Sequence, residues 1–206
     1  MFGGERLDNS EHLAQPWRIH EIAAGFEVLD VWALPTPGGR NDFGDLVGLW
    51  RDFDPGRTSL IVRALFAARW ALGRWFALDT PQEGVGVRVP TLRDRLAPEL
   101  RSTASQLGIE HDQFAPLYLT DDEFAMEIAN RTVHGVLHVG WVAGASGAHH
   151  GQMAVLVRPN GAMGRMYLTA ISPFRHLIVY PRLLRDIGRL WRSRPTVNRH
   201  HESRQP

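Results

Sequence analysis

From Phe114 onward the apolar residues of this chain recur at every second position. That period belongs to extended backbone, whose side chains alternate between the two faces of a sheet. FAPLYL (114–119) reads as one short strand, and residues 122–130, 132–142, 152–158 and 163–171 read as longer ones. Asn160-Gly161, between the last two, is a two-residue hairpin signal that would set Pro159 opposite Ala162 and Val155 opposite Met166. A tight turn at Asn130-Arg131 would set Phe124 opposite Leu137 and Ile128 opposite Val133. One face then carries Phe124, Met126, Ile128, Val133, Leu137, Val139, Trp141, Met153, Val155, Val157, Met166, Leu168 and Ala170, without a charge. The other carries Glu123, Glu127, His134, His138, Gln152, Arg158, Arg165 and Tyr167. A four-strand antiparallel sheet with one apolar face needs helices to cover it.

The cover is SPFRHLIVYPRLLRDIGRLWR (172–192). Ser172 suits an N-cap and Pro173 the first helical position, while Phe174, Leu177, Ile178, Pro181, Leu184, Gly188 and Trp191 share a face. Pro181 removes one intrahelical hydrogen bond and should bend this helix, leaving it anchored at 174–178 and looser beyond. Upstream, residues 26–34 read as a strand and residues 42–53 as an amphipathic helix. Residues 59–78 read as a mostly buried helix, and Gly84–Val89 as a possible short strand. Thr91 can cap a further helix that Pro98 shortens or kinks. The organisation expected is a polar lead-in over 1–16, one α+β domain over 17–192 and a disordered basic tail over 193–206.

Composition removes several classes of function. The 206 residues contain no cysteine, so disulfides, thiol nucleophiles, iron–sulfur clusters and thiolate zinc sites are excluded. The start, MFGGERLDNSEH, is too polar for a secretory signal, which points to a cytoplasmic protein. Residues 59–78 are long enough to span a bilayer, but Arg63, Arg69 and Arg74 interrupt them. Each would cost about 2.5–3.5 kcal/mol at the bilayer centre, so no integral membrane segment is expected. The basic residues are all arginine, and 10 of the 23 fall after residue 157 against only Asp186 and Glu202. Such an arm suits nucleic acid or anionic lipid, and more simply a solvated helix face and tail. No nucleic-acid motif accompanies it, so nucleic acid is not an expected partner.

One strand, two helices, a large antiparallel sheet and a long last helix is the element order of the helix-grip proteins. The chain resembles that class, which includes START domains, Bet v 1-like pathogenesis-related proteins and polyketide cyclases (the SRPBCC superfamily). PFRHLIVYPRLL, GVLHVGWV and LFAARWALGRWFALD are more closely similar to a bacterial family of unknown function, domain of unknown function 2867. The likeness spans roughly residues 15–192, and its motifs are packing patterns that carry over no catalytic residue. Residues 79–111 depart from the helix-grip plan, reading partly helical where hairpin strands belong. The resemblance implies a cavity between the sheet's concave face and the C-terminal helix, for a small apolar or amphipathic metabolite or lipid. Met126, Leu137, Trp141, Met153, Met166, Phe174, Arg175 and Ile178 would line it, methionine suiting irregular apolar shapes. The same methionines would also fill an ordinary core. Relatives fused behind NmrA-like dehydrogenase domains imply a further possibility, a non-catalytic partner module; a homodimer is possible too.

Catalytic signatures are sparse. No G-x-S-x-G, H-E-x-x-H, Walker loop or dinucleotide fingerprint is present, and no cofactor is expected. His134 and His138 share a strand face, and the register above pairs them with Glu127 and Glu123. A carboxylate-oriented imidazole suits a general base, and it equally suits cross-strand pairing on a solvated sheet face. The two histidines stand about 13 Å apart along a strand, too far to share one metal ion. His149-His150 and His200-His201 lack nearby carboxylates, so no metal site is expected. Arg175-His176, near a helix start, could hold a ligand carboxylate or tie the helix to the sheet. If the chain is an enzyme, a cyclase, dehydratase or hydrolase acting on a hydrophobic metabolite, a register slipped by one residue would turn Glu127, His134, Arg165 and Tyr167 inward as an acid–base set.

Overall fold

The computed structural model describes residues 4–52, 85–86, 89–109, 114–130, 132–144 and 147–194. Their elements are β1 (Glu5–Leu7), α1 (Asn9–Leu13), α2 (Ile19–Ile22), β2 (Glu27–Ala33) and α3 (Phe43–Asp52), followed by a 3₁₀ turn at Leu92–Arg95 and α4 (Pro98–Ser102). A second 3₁₀ turn (Thr103–Leu107) leads into β3 (Ala115–Leu119), β4 (Glu123–Ala129), β5 (Val133–Ala143) and β6 (His149–Pro159). One long helix closes the chain: α5 (Gly161–Phe174), a π turn at Arg175–Val179 and α6 (Tyr180–Ser193). The strands form an antiparallel six-stranded sheet in the order β1-β2-β6-β5-β4-β3. This is an α+β, helix-grip-like arrangement. The expected helix over 59–78, the residues of Gly84–Val89 other than Val85, Gly86 and Val89, and the tail from residue 195 lie outside the described residues.

The largest departure from expectation follows Pro159. No hairpin forms at Asn160-Gly161; residues 163–171 are helix, and the closing helix starts at Gly161 rather than Ser172. Gly161 takes a positive φ of 70°, which suits a turn, but here it directs the chain into a helix. Met163, Met166, Ala170, Phe174 and Leu177 recur every three or four residues, and that period prevails over the looser alternation. Met166, Arg165 and Tyr167 are therefore helix residues, and Val155 faces Asp30 of β2 and Leu137 of β5 instead of Met166. Pro173 falls inside α5. Pro181 has no amide to return to the preceding turn, and the helix widens there into the π turn.

Residues 5–13 are also ordered, against the expectation of a loose lead-in: β1 pairs with β2, and Asp8 caps α1 by accepting from the Ser10 amide at 2.9 Å. Thr91 caps its turn as expected, and Pro98 starts a separate helix rather than kinking one.

The β4–β5 register is displaced by two residues, Phe124 facing Val139 and Met126 facing Leu137. Asn130 causes it. Its backbone pairs with Val133 while its side chain accepts from Thr132 and Val133, which widens the connection beyond a tight two-residue turn. A two-residue shift leaves every side chain on its expected face.

Both faces of the sheet are covered. On one, Phe124, Met126, Val139, Trp141 and Met153 pack against α3 and α6 through Phe43, Leu46, Trp50, Leu184, Ile187 and Trp191. On the other, Ala125, Val136, Ala154 and Leu156 lie beneath Trp17, Ile19, Ile22, Leu92 and Leu96. The alternation alone makes that second face a solvated one; the structure buries it. The small and aliphatic residues between its charges are what the N-terminal helices and the 92–107 segment cover. Gly140 admits Trp17 there, since a Cβ would stand 2.6 Å from the indole.

Candidate functional site

On the helix side the chemistry gathers at Asp30, the one carboxylate in VLDVWAL. A bulge between Val28 and Asp30 shifts the β2 register, and Asp30 lies opposite Val155. The carboxylate is fully buried and receives four donors. His176 Nε2 stands 2.7 Å from Oδ1 and the Tyr180 hydroxyl donates to Oδ2 at 2.9 Å. The Arg175 guanidinium lies 3.3 Å from Oδ2 and that of Arg6 3.5 Å from Oδ1. The π turn makes this possible by bringing the adjacent residues Arg175 and His176 both to the strand. Burial, then the Asp30 charge, raises the Tyr180 pKa, so its hydroxyl stays a donor.

His176 is supported on both sides. Its Nδ1 lies 2.8 Å from the Ser172 carbonyl and 3.3 Å from the Ser172 hydroxyl. A protonated Nδ1 donates to the carbonyl, whereas a bare one accepts from the hydroxyl. Two guanidiniums and this imidazole thus surround a single carboxylate. Arg175 Nε is buried without a hydrogen-bond partner. The structure gives Arg175-His176 the helix-to-sheet tie. Val155 opposite Asp30, Leu137 next to Val155 and Ile178 on the helix are only half-buried.

The residues expected to line a cavity separate into three groups. Met126, Trp141 and Met153 are buried in the core against α3 and α6. Arg175 belongs to the Asp30 cluster, with a 14% exposed side chain, while Leu137 packs half-buried against the core and Ile178 is half-buried on the π turn. Met166 and Phe174 are 69% and 37% exposed on the helix.

The second face holds a different cluster. Glu123 accepts from His138 Nε2 at 2.8 Å, from the Tyr118 hydroxyl at 2.8 Å and from the Arg18 amide at 2.9 Å. With Nε2 donating, His138 Nδ1 accepts from His12 Nε2 at 3.0 Å, and His12 Nδ1 accepts from His20 Nε2 at 3.2 Å. The row of three imidazoles runs from half-exposed His20 to buried Glu123. Burial, then the neighbouring His138 and His20, lowers the His12 pKa to about 3. Burial and His138 lower that of His20 as well. Burial opposes the Glu123 charge, but the hydrogen bond from His138 and the attraction to it, then the hydrogen bonds from the Arg18 amide and Tyr118, hold its pKa below the ordinary carboxylate value.

Glu127 and His134 form a second pair on the same face, at 2.9 Å, and Glu127 also accepts from Thr91 and the Leu92 amide. Both expected His–Glu pairs exist as diagonal rather than directly opposed neighbours. Arg165 and Tyr167 do not join them on a strand, because α5 carries both. Among the described residues no group of three or more His, Asp and Glu side chains is arranged to hold a metal. A shallow groove of about 550 Å³ runs beside β3, lined by Arg18, Leu100, Thr103, Leu119 and Asp121 among others.

Asp30, Tyr180, Arg6, Tyr118, His12 and His20 belong to no motif or paired pattern in the sequence. Asp30 carries a signal, a lone acid inside an apolar strand; His12 and His20 carry none, lying in polar and mixed segments. No curated protein and no solved structure matches the chain. A family model described as "Protein of unknown function (DUF2867)" matches residues 22–182, from α2 into α6 and including Asp30, Arg175, His176 and Tyr180. The chain belongs to this family of proteins of unknown function.

Proposed function

We propose that the protein binds a small amphipathic anion between its sheet and the first half of the long helix. The observation that carries this reading is the charge count at Asp30: one carboxylate faces the two guanidiniums of Arg6 and Arg175, with His176 and half-buried aliphatic side chains beside them. A ligand carboxylate or phosphate would balance the surplus cations. Its apolar body would lie on Leu137, Val155 and Ile178, extending the packed surface of Met126, Trp141 and Met153. The helix-grip resemblance implies ligands in the same region. Native mass spectrometry of the freshly purified chain, with solvent extraction, tests the proposal directly. A bound anionic metabolite, or a mass shift with a medium-chain fatty acid that Arg175→Met weakens, supports it. A ligand-free protein that takes up nothing from a panel of apolar acids and alcohols overturns it.

A second reading, acid–base catalysis on a hydrophobic metabolite, draws on His134. With Nε2 given to Glu127, Nδ1 is left as an acceptor with no hydrogen-bond partner among the described residues, the state a general base needs. Turnover of an activated hydrophobic ester that His134→Gln abolishes, with the fold intact, would favour it.

A further inference from the structure

The outer face of the long helix changes character once along its length. Its inner face is defined by contacts: His176 and Tyr180 bond Asp30, and Leu184, Ile187 and Trp191 are buried. Turned the other way in the first half are Met163, Met166, Phe174 and Leu177, exposed by 52%, 69%, 37% and 76%. Their spacing keeps them on one side of an α-helix. The extra residue of the π turn brings Arg182 under that row, five positions after Leu177, and Arg185, Arg189 and Arg192 follow at helical spacing. Arg185, Arg189 and Arg192 are exposed and Arg182 is half-buried. The only acid between Gly161 and Arg194 is Asp186, which is buried and lies 3.6 Å from Arg189. The outer face is thus an apolar row that continues into a cationic row, over about 40 Å of helix.

We propose that this face docks on the surface of an anionic lipid bilayer. Leu177, Met166 and their neighbours would enter the interfacial region while the arginines meet lipid phosphates. The charge pattern selects this occupant over a second copy of the chain. Two helices packed parallel would oppose their arginine rows, and packed antiparallel they would lay each arginine row on an apolar one. A bilayer presents acyl chain and anionic headgroup together at every point along the helix. No helix among the described residues is long and apolar enough to cross a membrane, so the contact is peripheral. This proposal stands apart from the ligand reading, which concerns the inner face.

Co-sedimentation of the full chain with vesicles tests it, using phosphatidylcholine alone and phosphatidylcholine with about a third phosphatidylglycerol. Binding to the anionic vesicles, weakened by salt, is expected. Replacing Arg182, Arg185 and Arg189 by glutamine should lower affinity by about fivefold per arginine. Leu177→Asp combined with Met166→Asp should remove binding while the melting temperature holds, because both side chains are exposed. Absence of binding to anionic vesicles, equal binding to neutral ones, or binding indifferent to both variants overturns the proposal. So does a dimer that forms in place of vesicle binding and that Leu177→Asp dissociates.

Discussion

The two faces of the sheet solve the problem of a buried carboxylate in opposite ways. Glu123 is surrounded by a tyrosine hydroxyl, a backbone amide and a histidine backed by two more, on the covered second face. Asp30 is surrounded by cations whose far ends reach toward solvent, Arg6 with a 56% exposed side chain and Arg175 with 14%. A network of mutually satisfied hydrogen-bonding groups fixes one arrangement and has no capacity left for a ligand. A cluster with surplus positive charge and an unpaired donor is incomplete by itself. The difference separates a structural centre from a candidate binding site, although both hold histidine and tyrosine against a carboxylate.

Removing each carboxylate should therefore cost different amounts. Glu123→Leu leaves the Tyr118 hydroxyl, the Arg18 amide and His138 Nε2 without their acceptor in a buried place, and should cost about 3–5 kcal/mol. Asp30→Asn keeps the shape and one acceptor oxygen, and Arg6 turns to water, so about 1–3 kcal/mol is expected. Urea denaturation of the two variants measures both. Equal losses would erase the distinction.

Acid should strike the second face first. The unfolded chain protonates His12 below about pH 6.5, whereas the folded chain refuses that proton until about pH 3. A depressed histidine pKa means stability that is complete above the unfolded value and falls as pH drops through the window between them, by up to about 1.4 kcal/mol per pH unit for such a group. His20, lowered in the same sense, adds to the slope. His12→Gln should lower stability at pH 7 yet flatten its dependence between about pH 6.5 and 4. A variant as acid-sensitive as the parent would show that the histidine row is not the origin.

The two clusters also differ in how far the sequence discloses them. The pairs Glu127–His134 and Glu123–His138 are legible because period-two alternation assigns faces, and a two-residue register shift preserves them. Their burial is not legible, since it depends on the N-terminal helices folding back over residues of modest hydrophobicity such as Ala125 and Ala154. Arg175-His176 stands out by its place near a helix start, but its partner Asp30 is 145 residues away from Arg175, across a bulge. Nothing local encodes such a contact. The misreading of 163–171 as a strand has one cause, a strong dipeptide signal outweighing a helical period. It moves Arg165, Met166 and Tyr167 from α5 to the sheet.

The packing also reverses the mobility that the proline implies for the closing helix. Pro181 suggests a helix loose beyond it, but α6 buries Tyr180, Leu184, Ile187 and Trp191 while α5 buries only Gly164. Hydrogen exchange should find the amides of 184–191 protected more than those of 165–172, by about thirtyfold or roughly 2 kcal/mol of opening free energy. Greater protection in α5 would contradict the packing and place the mobile half beside α3 instead of Asp30.

The smallest stability change should come from Arg175→Met, and it discriminates most about function. The long aliphatic stem is kept, and Asp30 retains His176 and Tyr180 as donors, so the carboxylate does not become an orphan. The lost guanidinium contact is a 3.3 Å ion pair, worth about 1 kcal/mol or less. If the surplus charge at Asp30 exists to receive an anion, this near-neutral substitution should still remove most affinity for a fatty-acid probe, by about tenfold or more, since a charge-assisted pair in a half-buried site contributes about 1.5–3 kcal/mol. A matched control on the other face, Tyr118→Phe, should reverse the pattern, lowering stability while leaving probe binding unchanged. Arg175→Met that costs several kcal/mol and binds the probe as the parent does would assign the Asp30 cluster to the same structural role as Glu123.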